Sequence, residues 1–256
     1  MKKADLRGEI ERACRKAGAV VFGIASAKDI DRLKKIKIID SGKLWWWSER
    51  IKDVMPEAQS VVVFGIQTLD DADDIAIRRG NAWVYPGYNP LSHITREVIE
   101  LLRARGYKAK GNATPDITTS DTIPVKRIAA LAGVGSYGKN SMILSRDYGL
   151  SLRFEIVLTD ARMRKDKPLK DLCKECDRCI RACPNKAIVK PYVLDPNRCF
   201  VDFEERWKDH AELEQKYRRY EPRLTSNTFV MCTMCQMACP YTTEKRRKGR
   251  MGAVRD

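Results

Sequence analysis

The chain opens with apolar positions recurring at helical spacing. In DLRGEIERACRKAG, Leu6, Ile10, Ala13, Cys14 and Ala17 share one stripe and Gly18 supplies a stop. That pattern predicts a helix that turns Cys14 into a core. Two short β-branched runs, AVVFGIA (19–25) and SVVVFGI (60–66), have the continuous apolar character of interior strands. Between them DIDRLKKIKII reads as a basic helical segment and leads to Trp45, Trp46 and Trp47. Three adjacent side chains cannot all face one core, so at least one is expected to line a pocket, a partner surface or a packed rim.

Further on, PLSHITREVIELLRARGY predicts a helix with Ile94, Val98, Leu101 and Leu102 on its buried face and Gly106 at its end. His93 falls off that stripe, near the start. IPVKRIAALAG predicts another helix, with Pro124 in the first turn and Asp121 or Thr122 placed to cap it. SLRFEIVLT alternates as a strand, Leu152, Phe154, Ile156 and Leu158 pointing one way. After Asp160 the charged stretch ARMRKDKPLKD marks a boundary. The expected division is a main domain over 1–165, a smaller domain over 166–243 with a charged helix inserted at about 200–221, and a basic tail over 244–256.

Composition adds constraints. With 256 residues there is room for one sizeable core and an attachment. No apolar run approaches the roughly 18 residues that span a bilayer, so no membrane partner is expected. MKKADLRGEIERACRK lacks the apolar stretch of an export signal, which predicts a cytoplasmic protein. Its nine cysteines are then expected as reduced thiols, suited to metal ligation more than to disulfides. The net charge of +15 attracts phosphate backbones, anionic lipids or acidic proteins without choosing among them. Six of the 13 residues of EKRRKGRMGAVRD are Lys or Arg, so part of that excess belongs to the tail.

The cysteines carry the strongest signal. LCKECDRCIRACPNKAI places Cys173, Cys176, Cys179 and Cys183 ahead of Pro184, the C-x₂-C-x₂-C-x₃-C-P run of bacterial ferredoxins. A second run, MCTMCQMACP, offers Cys232, Cys235 and Cys239 before Pro240 and is one ligand short, which Cys199 makes good. In two-cluster ferredoxins the fourth cysteine of a run serves the other cluster. The crossed rule gives Cys173, Cys176, Cys179 and Cys239 to one [4Fe–4S] cluster and Cys183, Cys199, Cys232 and Cys235 to the other. Zinc knuckles are the alternative, against which stand the additional Cys179 and the two Cys-Pro pairs. Two fully ligated clusters form an electron wire, so substrate chemistry belongs to the residues ahead of them.

One further stretch, LAGVGSYGKN, spaces Gly133, Gly135 and Gly138 as G-x-G-x-x-G. A dinucleotide fingerprint needs a strand leading into the glycines, and here a predicted helix does so, which removes the nicotinamide reading. The segment SDTIPVKRIAALAGVGSYGKNSMILSRDYGLSLRFEIVLTD (120–160), the four-cysteine run, the lone Cys199 after LDPNRC and the short second run together resemble the epoxyqueuosine reductases, which are related to reductive dehalogenases.

That resemblance implies an α/β (α+β) nitroreductase-like domain that binds cobalamin, with a ferredoxin-like double [4Fe–4S] domain beside it. Electrons are then expected to pass through the clusters to cobalt, with no histidine below the metal. Asp121 matches the family's proton donor, although it reads equally well as a helix cap. Gly135, Ser136, Tyr137, Gly138, Lys139 and Asn140 match the loop near the corrinoid, with Ser136 and Tyr137 where bulky apolar residues are usual. The implied activity is an oxidoreductase removing oxygen from epoxyqueuosine in tRNA or from a related substrate. An acidic donor such as ferredoxin or flavodoxin and tRNA are the implied partners. The alternative is an electron-transfer or corrinoid-reducing protein without its own substrate.

Overall fold

The computed structural model describes residues 5–33, 36–40, 43–47, 50–68, 71–80, 82–111, 123, 125–195, 198–200, 225 and 227–243. Helix α1 (Leu6–Lys16) is capped by Asp5, whose carboxylate accepts the Gly8 N–H at 3.1 Å, and it buries Ile10 and Cys14 fully. Strand β1 (Val21–Ser26) and a short α2 (Ala27–Asp31) follow. The expected basic helix ends there. From Ile36 the chain is instead a hairpin, β2 (Ile36–Asp40) against β3 (Lys43–Trp47), with Ile36 opposite Trp47 and Asp40 opposite Lys43. The β-branched Ile36, Ile38 and Ile39 favour the extended chain, and that preference wins over the helical reading of the lysines. The tryptophan triplet lies in β3.

Helix α3 (Ile51–Val54) leads into β4 (Ser60–Gln67), the most deeply placed strand. The central sheet has the order β1, β4, β10 (Leu152–Thr159) and β7 (Ala109–Gly111), every neighbour antiparallel. Phe64 of β4 stands between Phe22 and Glu155 in register. On one face α1 and α4 (Asn89–Ala104) pack Ile10, Cys14, Val98 and Leu102 against Val62, Phe64 and Val157. On the other, α2, α3 and α5 (Val125–Leu131) bring Ile51, Met55 and Ile128 against Val61, Val63 and Ile156. Fully burying one such side chain contributes about 1.5–3 kcal/mol.

Covering both faces changes the reading of two elements. Strand β10 does not alternate between core and solvent, because Arg153 and Val157, on the side opposite Ile156 and Leu158, are buried too. In α4, Ile94, Val98 and Leu102 are buried as expected, Leu91 and Ile99 join them, and Leu101 is half-buried. Gly106 beyond its end takes φ +81, the left-handed geometry of a helix stop. His93 is exposed on the outer side of this helix.

The remaining strands join the C-terminal residues to this body. Strand β5 (Ile75–Arg79) pairs with β6 (Ala82–Val84), while β8 (Ser136–Tyr137) and β9 (Ile143–Leu144) form a small hairpin after α5. Gly133, which ends α5, takes φ +69, and a Cβ there would stand 2.4 Å from the Lys167 carbonyl oxygen. The charged stretch 161–171 has no regular element yet is held at its middle. The Asp166 N–H donates to the Ile24 carbonyl at 2.9 Å, its carboxylate accepts the Ile24 N–H at 2.8 Å, and Arg7 pairs with it at 3.0 Å. Beyond lie α6 (Arg178–Ala182), the hairpin β11 (Ile188–Lys190) and β12 (Val193–Leu194), then β13 (Thr228–Val230) and α7 (Met234–Met237). Strand β13 pairs with β5, so a strand from between the two cysteine runs completes the sheet of β5 and β6. The predicted charged helix near 200–221 and the basic tail lie outside the described residues. Among those described, no helix is long and apolar enough to cross a membrane.

Burial pushes the Cys14 thiol up to about 12, with no change of sign from its charged neighbours. Near pH 8 its thiolate fraction is then roughly a thousandfold below that of an ordinary cysteine. Cys14 should stay unmodified when the folded protein meets an alkylating reagent and react only after unfolding, as peptide mass spectrometry would report. Rapid labelling in the native state would contradict this placement.

Candidate metal centres

Each cysteine run is a tight turn with a short helix. In the first, Leu172 is buried with Leu144, Leu150 and Cys239, which anchors the turn to the front domain. The Cys173 N–H donates to Asp171 Oδ1 at 2.8 Å and the Cys176 N–H to the Cys173 carbonyl at 3.0 Å, while Lys174 adopts a left-handed φ of 41°. Cys179 lies in the first turn of α6 and Cys183 caps its end. In the second run Cys235 lies within α7, Cys232 precedes it and Cys239 follows it. Helices α6 and α7 pack on each other, which brings the two runs together.

The thiols fall into two groups by the fields they exert on one another. Cys179 is pushed up to about 11 by burial, then by Cys173, Cys239 and Cys176. Cys235 is pushed up to about 12 by burial, then by Cys199 and Cys232, with Cys183 adding to them. Burial and Cys183 also raise Cys232. Cys176 is the exposed member of the first group, and Cys239 is buried. Among the described residues no three His, Cys, Asp or Glu side chains stand close enough together to hold a single metal ion.

Backbone donors reach the sulfurs in both groups. The Lys139 N–H donates to Cys173 Sγ at 3.4 Å and the Ala187 N–H to Cys183 Sγ at 3.1 Å. The N–H groups of Ile180 and Met234 act in the same sense on Cys179 and Cys232, lowering their pKa against burial. Such donors favour charged sulfur.

The loop over Gly135 to Asn140 lies against this module. Ser136 is buried and its Oγ accepts the Leu172 N–H at 3.3 Å. A Cβ at Gly138 would stand 3.0 Å from Asn140 Oδ1 and 3.1 Å from the Met142 carbonyl oxygen, both tighter than ordinary contact. Lys139 is half-buried, its carbonyl accepting the Tyr192 N–H at 3.0 Å and its ammonium donating to the Lys174 carbonyl. Asn140 is buried and faces Cys235. Tyr137 and Ser136, with Leu33, Arg127, Leu131 and Tyr192, border a hollow of about 550 Å³ beside the first cysteine run. Asp121 lies outside the described residues.

Two features escaped the sequence reading. Lys126 of α5 is exposed at the surface yet close to the second thiol group, with Cys199 and Cys235 among the groups that act on its charge. This places the second thiol group on the α5 side. The other feature is a buried ion pair at the junction. Arg153 Nη2 meets Asp74 Oδ1 at 2.5 Å and Oδ2 at 2.7 Å, and its Nε donates to the Tyr88 hydroxyl at 2.7 Å. The Tyr88 O–H donates to Asp74 Oδ1 at 2.8 Å, and Arg153 Nη2 extends to Gln236 Oε1 of α7 at 3.5 Å. Their sequence signal, an Arg within an apolar strand, is legible only once both faces of β10 are known to be covered.

Replacing Asp74 with Asn leaves the Arg153 charge buried without its counter-ion. The cost should be about 3–5 kcal/mol, read as a lower urea midpoint at unchanged slope. Replacing both partners, as in Asp74→Leu with Arg153→Met, should cost much less. Equal losses for single and paired replacements would show that the ion pair is not what matters there.

Residues 172–242 match the family model of a 4Fe-4S double cluster binding domain. The epoxyqueuosine reductase of Synechocystis sp. is 28% identical over 207 residues, which cover 75% of this chain and 66% of that one. An epoxyqueuosine reductase solved with a tRNA-Tyr epoxyqueuosine-modified stem loop superposes with a TM-score of 0.65 at 20% identity, covering 94% of this chain and 66% of that one. A reductive dehalogenase, whose structure suggests a mechanism for B12-dependent dehalogenation, gives 0.58 at 18% identity and covers 99% of this chain and 36% of that one. At these identities the structural likeness establishes the fold. In sequence over three quarters of its length, and in fold over nearly all of it, the chain is similar to epoxyqueuosine reductases, and residues 172–242 carry the match to a 4Fe-4S double cluster binding domain.

Proposed function

We propose that the chain is a corrinoid-dependent iron–sulfur reductase that removes the oxygen of epoxyqueuosine in tRNA or of a related epoxide. The observation that carries this reading is the sorting of eight cysteines into two groups of four, each approached by N–H donors. The groups suit two [4Fe–4S] clusters, Cys173, Cys176, Cys179 and Cys239 holding one and Cys183, Cys199, Cys232 and Cys235 the other. The buried amide of Asn140, whose nitrogen finds no protein acceptor in hydrogen-bonding geometry, is a donor awaiting a charged sulfur and supports the fit. Residues 166–243 then act as the electron-transfer module.

Direction follows from exposure. A donor is expected to dock at the first cluster, where Cys176 meets solvent, while the second adjoins α5, the helix whose Arg127 and Leu131 also border the hollow. An acidic donor such as a ferredoxin or flavodoxin suits the net charge of +15. For cobalamin the hollow beside Ser136 and Tyr137 offers largely apolar walls with a few polar groups, and exposed His93 stands away from it. When bound there, the corrinoid supplies a strongly reducing, nucleophilic metal. Reduction of an epoxide to an alkene takes two electrons and two protons and releases water. Asp121, just ahead of α5, is the proposed proton donor, and a basic surface would hold the tRNA phosphates.

A second reading, an electron-transfer or corrinoid-reducing protein without its own substrate, is favoured by the loop itself. Ser136 and Lys139 spend their hydrogen bonds on the cysteine module, leaving fewer for a cofactor. Anaerobic reconstitution with iron, sulfide and cobalamin separates the two. Uptake of two clusters and one corrinoid is expected, and uptake of clusters alone would leave only the second reading. With corrinoid bound, Asp121→Asn should preserve binding and slow turnover of an epoxyqueuosine-modified tRNA stem loop by roughly a hundredfold to ten-thousandfold. Unchanged turnover would remove Asp121 from the reaction. Binding of that RNA should weaken steeply as salt rises.

A further inference from the structure

We propose that Asn140 raises the reduction potential of the Cys183–Cys199–Cys232–Cys235 cluster by donating its side-chain amide to Cys235 Sγ. The inference rests on the two-cluster reading above. Asn140 is only 4% exposed, and its Nδ2 is one of few buried polar atoms among the described residues that lack a partner in hydrogen-bonding geometry. A buried amide without an acceptor is costly, which points to an acceptor that this side chain is built to meet.

The orientation of the amide is fixed by chemistry. Its Oδ1 accepts the Met142 N–H at 3.3 Å, and only the oxygen can accept, so Nδ2 must lie on the other side. The turn beneath is closed twice, by the Gly138 N–H on the Met142 carbonyl at 2.7 Å and by the Ser141 N–H on the Gly138 carbonyl at 2.9 Å. Ser141 accepts a left-handed φ of 61° to make that turn. What Nδ2 faces is Cys235, and the amide favours the charged form of that sulfur.

The adjacent residue treats the other group in the same way. The Lys139 N–H donates to Cys173 Sγ, so two consecutive residues reach one sulfur of each cluster. The donors differ in kind. A backbone N–H persists through almost any substitution, whereas the amide of Asn140 is a side-chain choice, so its contribution to the potential difference between the clusters depends on the residue at position 140. A donor to cluster sulfur stabilises the reduced, more negative state and raises the potential. Low dielectric around a buried donor strengthens that effect. Raising the second cluster relative to the first draws electrons toward the side that carries Lys126 and α5.

The test is a redox titration of the anaerobically reconstituted full chain, followed by electron paramagnetic resonance, with Asn140→Leu and Asn140→Asp beside the unsubstituted protein. Asn140→Asp keeps the size and the oxygen that accepts from Met142 while removing the donor. With iron for two clusters retained, one midpoint should fall in both variants, further for Asp, and the other should stay. In the unsubstituted protein, an isotope-labelled asparagine amide nitrogen should show hyperfine coupling to a reduced cluster, and Asn140→Leu should abolish it. Unmoved midpoints at full iron content, or no coupling from the labelled amide, would overturn the proposal. Should Asn140→Leu bind less iron, Asn140→Asp and the labelled protein still decide. Iron for fewer than two clusters in the unsubstituted protein would instead overturn the two-cluster reading, and this proposal with it.

Discussion

A guanidinium cannot be buried in an apolar sheet without a counter-charge, and that constraint organises the junction of this molecule. Arg153 sits in β10, a strand covered on both faces, and is held by Asp74 and the Tyr88 hydroxyl. Burial works against its charge, and Tyr88 and Asp74 more than offset this, holding the guanidinium above its ordinary range. Because the same guanidinium extends to Gln236, the strand at the centre of the front domain is positioned against the helix that carries Cys235. Hydrogen bonds with a charged partner contribute roughly twice as much as neutral ones and impose direction. The pair therefore fixes a geometry, whatever its net effect on stability.

A second organiser is the chain between α5 and β9. Gly133 ends the helix where the Lys167 carbonyl passes too close for a side chain. Ser136 and Lys139 then bind the first cysteine run through a hydroxyl and a backbone N–H, and Asn140 turns toward the second. Asp171 adds a support from the other direction, accepting from the Cys173 N–H and from the Tyr192 hydroxyl. The cysteines thus lie in a shell contributed by both halves of the sequence.

Much of this was legible from local pattern. Helices α1 and α4 and strands β1, β4 and β10 follow from periodicity, because a buried stripe or run leaves its period in the residues that make it. The two cysteine runs could be read from their spacing as a double-cluster module. Three things were not legible. The segment 36–47 mixes lysines with β-branched and aromatic residues, and only pairing between Ile36 and Trp47 reveals it as a hairpin. The partners of Arg153 lie 65 and 79 residues away in sequence, beyond any local pattern. The glycine loop was expected beside a corrinoid from resemblance, whereas its hydrogen bonds to the cysteine runs depend on how two distant segments dock.

The pairing of β13 with β5 carries a consequence for how the molecule is made. Thr228 lies opposite Ile77, a contact spanning roughly 150 residues, and loops of that length close late because contacts between distant residues form slowly. During synthesis the front domain emerges first, and β5 has only β6 as a partner until the segment after the first cysteine run has been made. The second run lies immediately after β13, so its cysteines reach their neighbours only when that strand returns. Completion of the metal module is therefore tied to completion of the chain: a truncated product would lack both a sheet strand and the ligands that follow it.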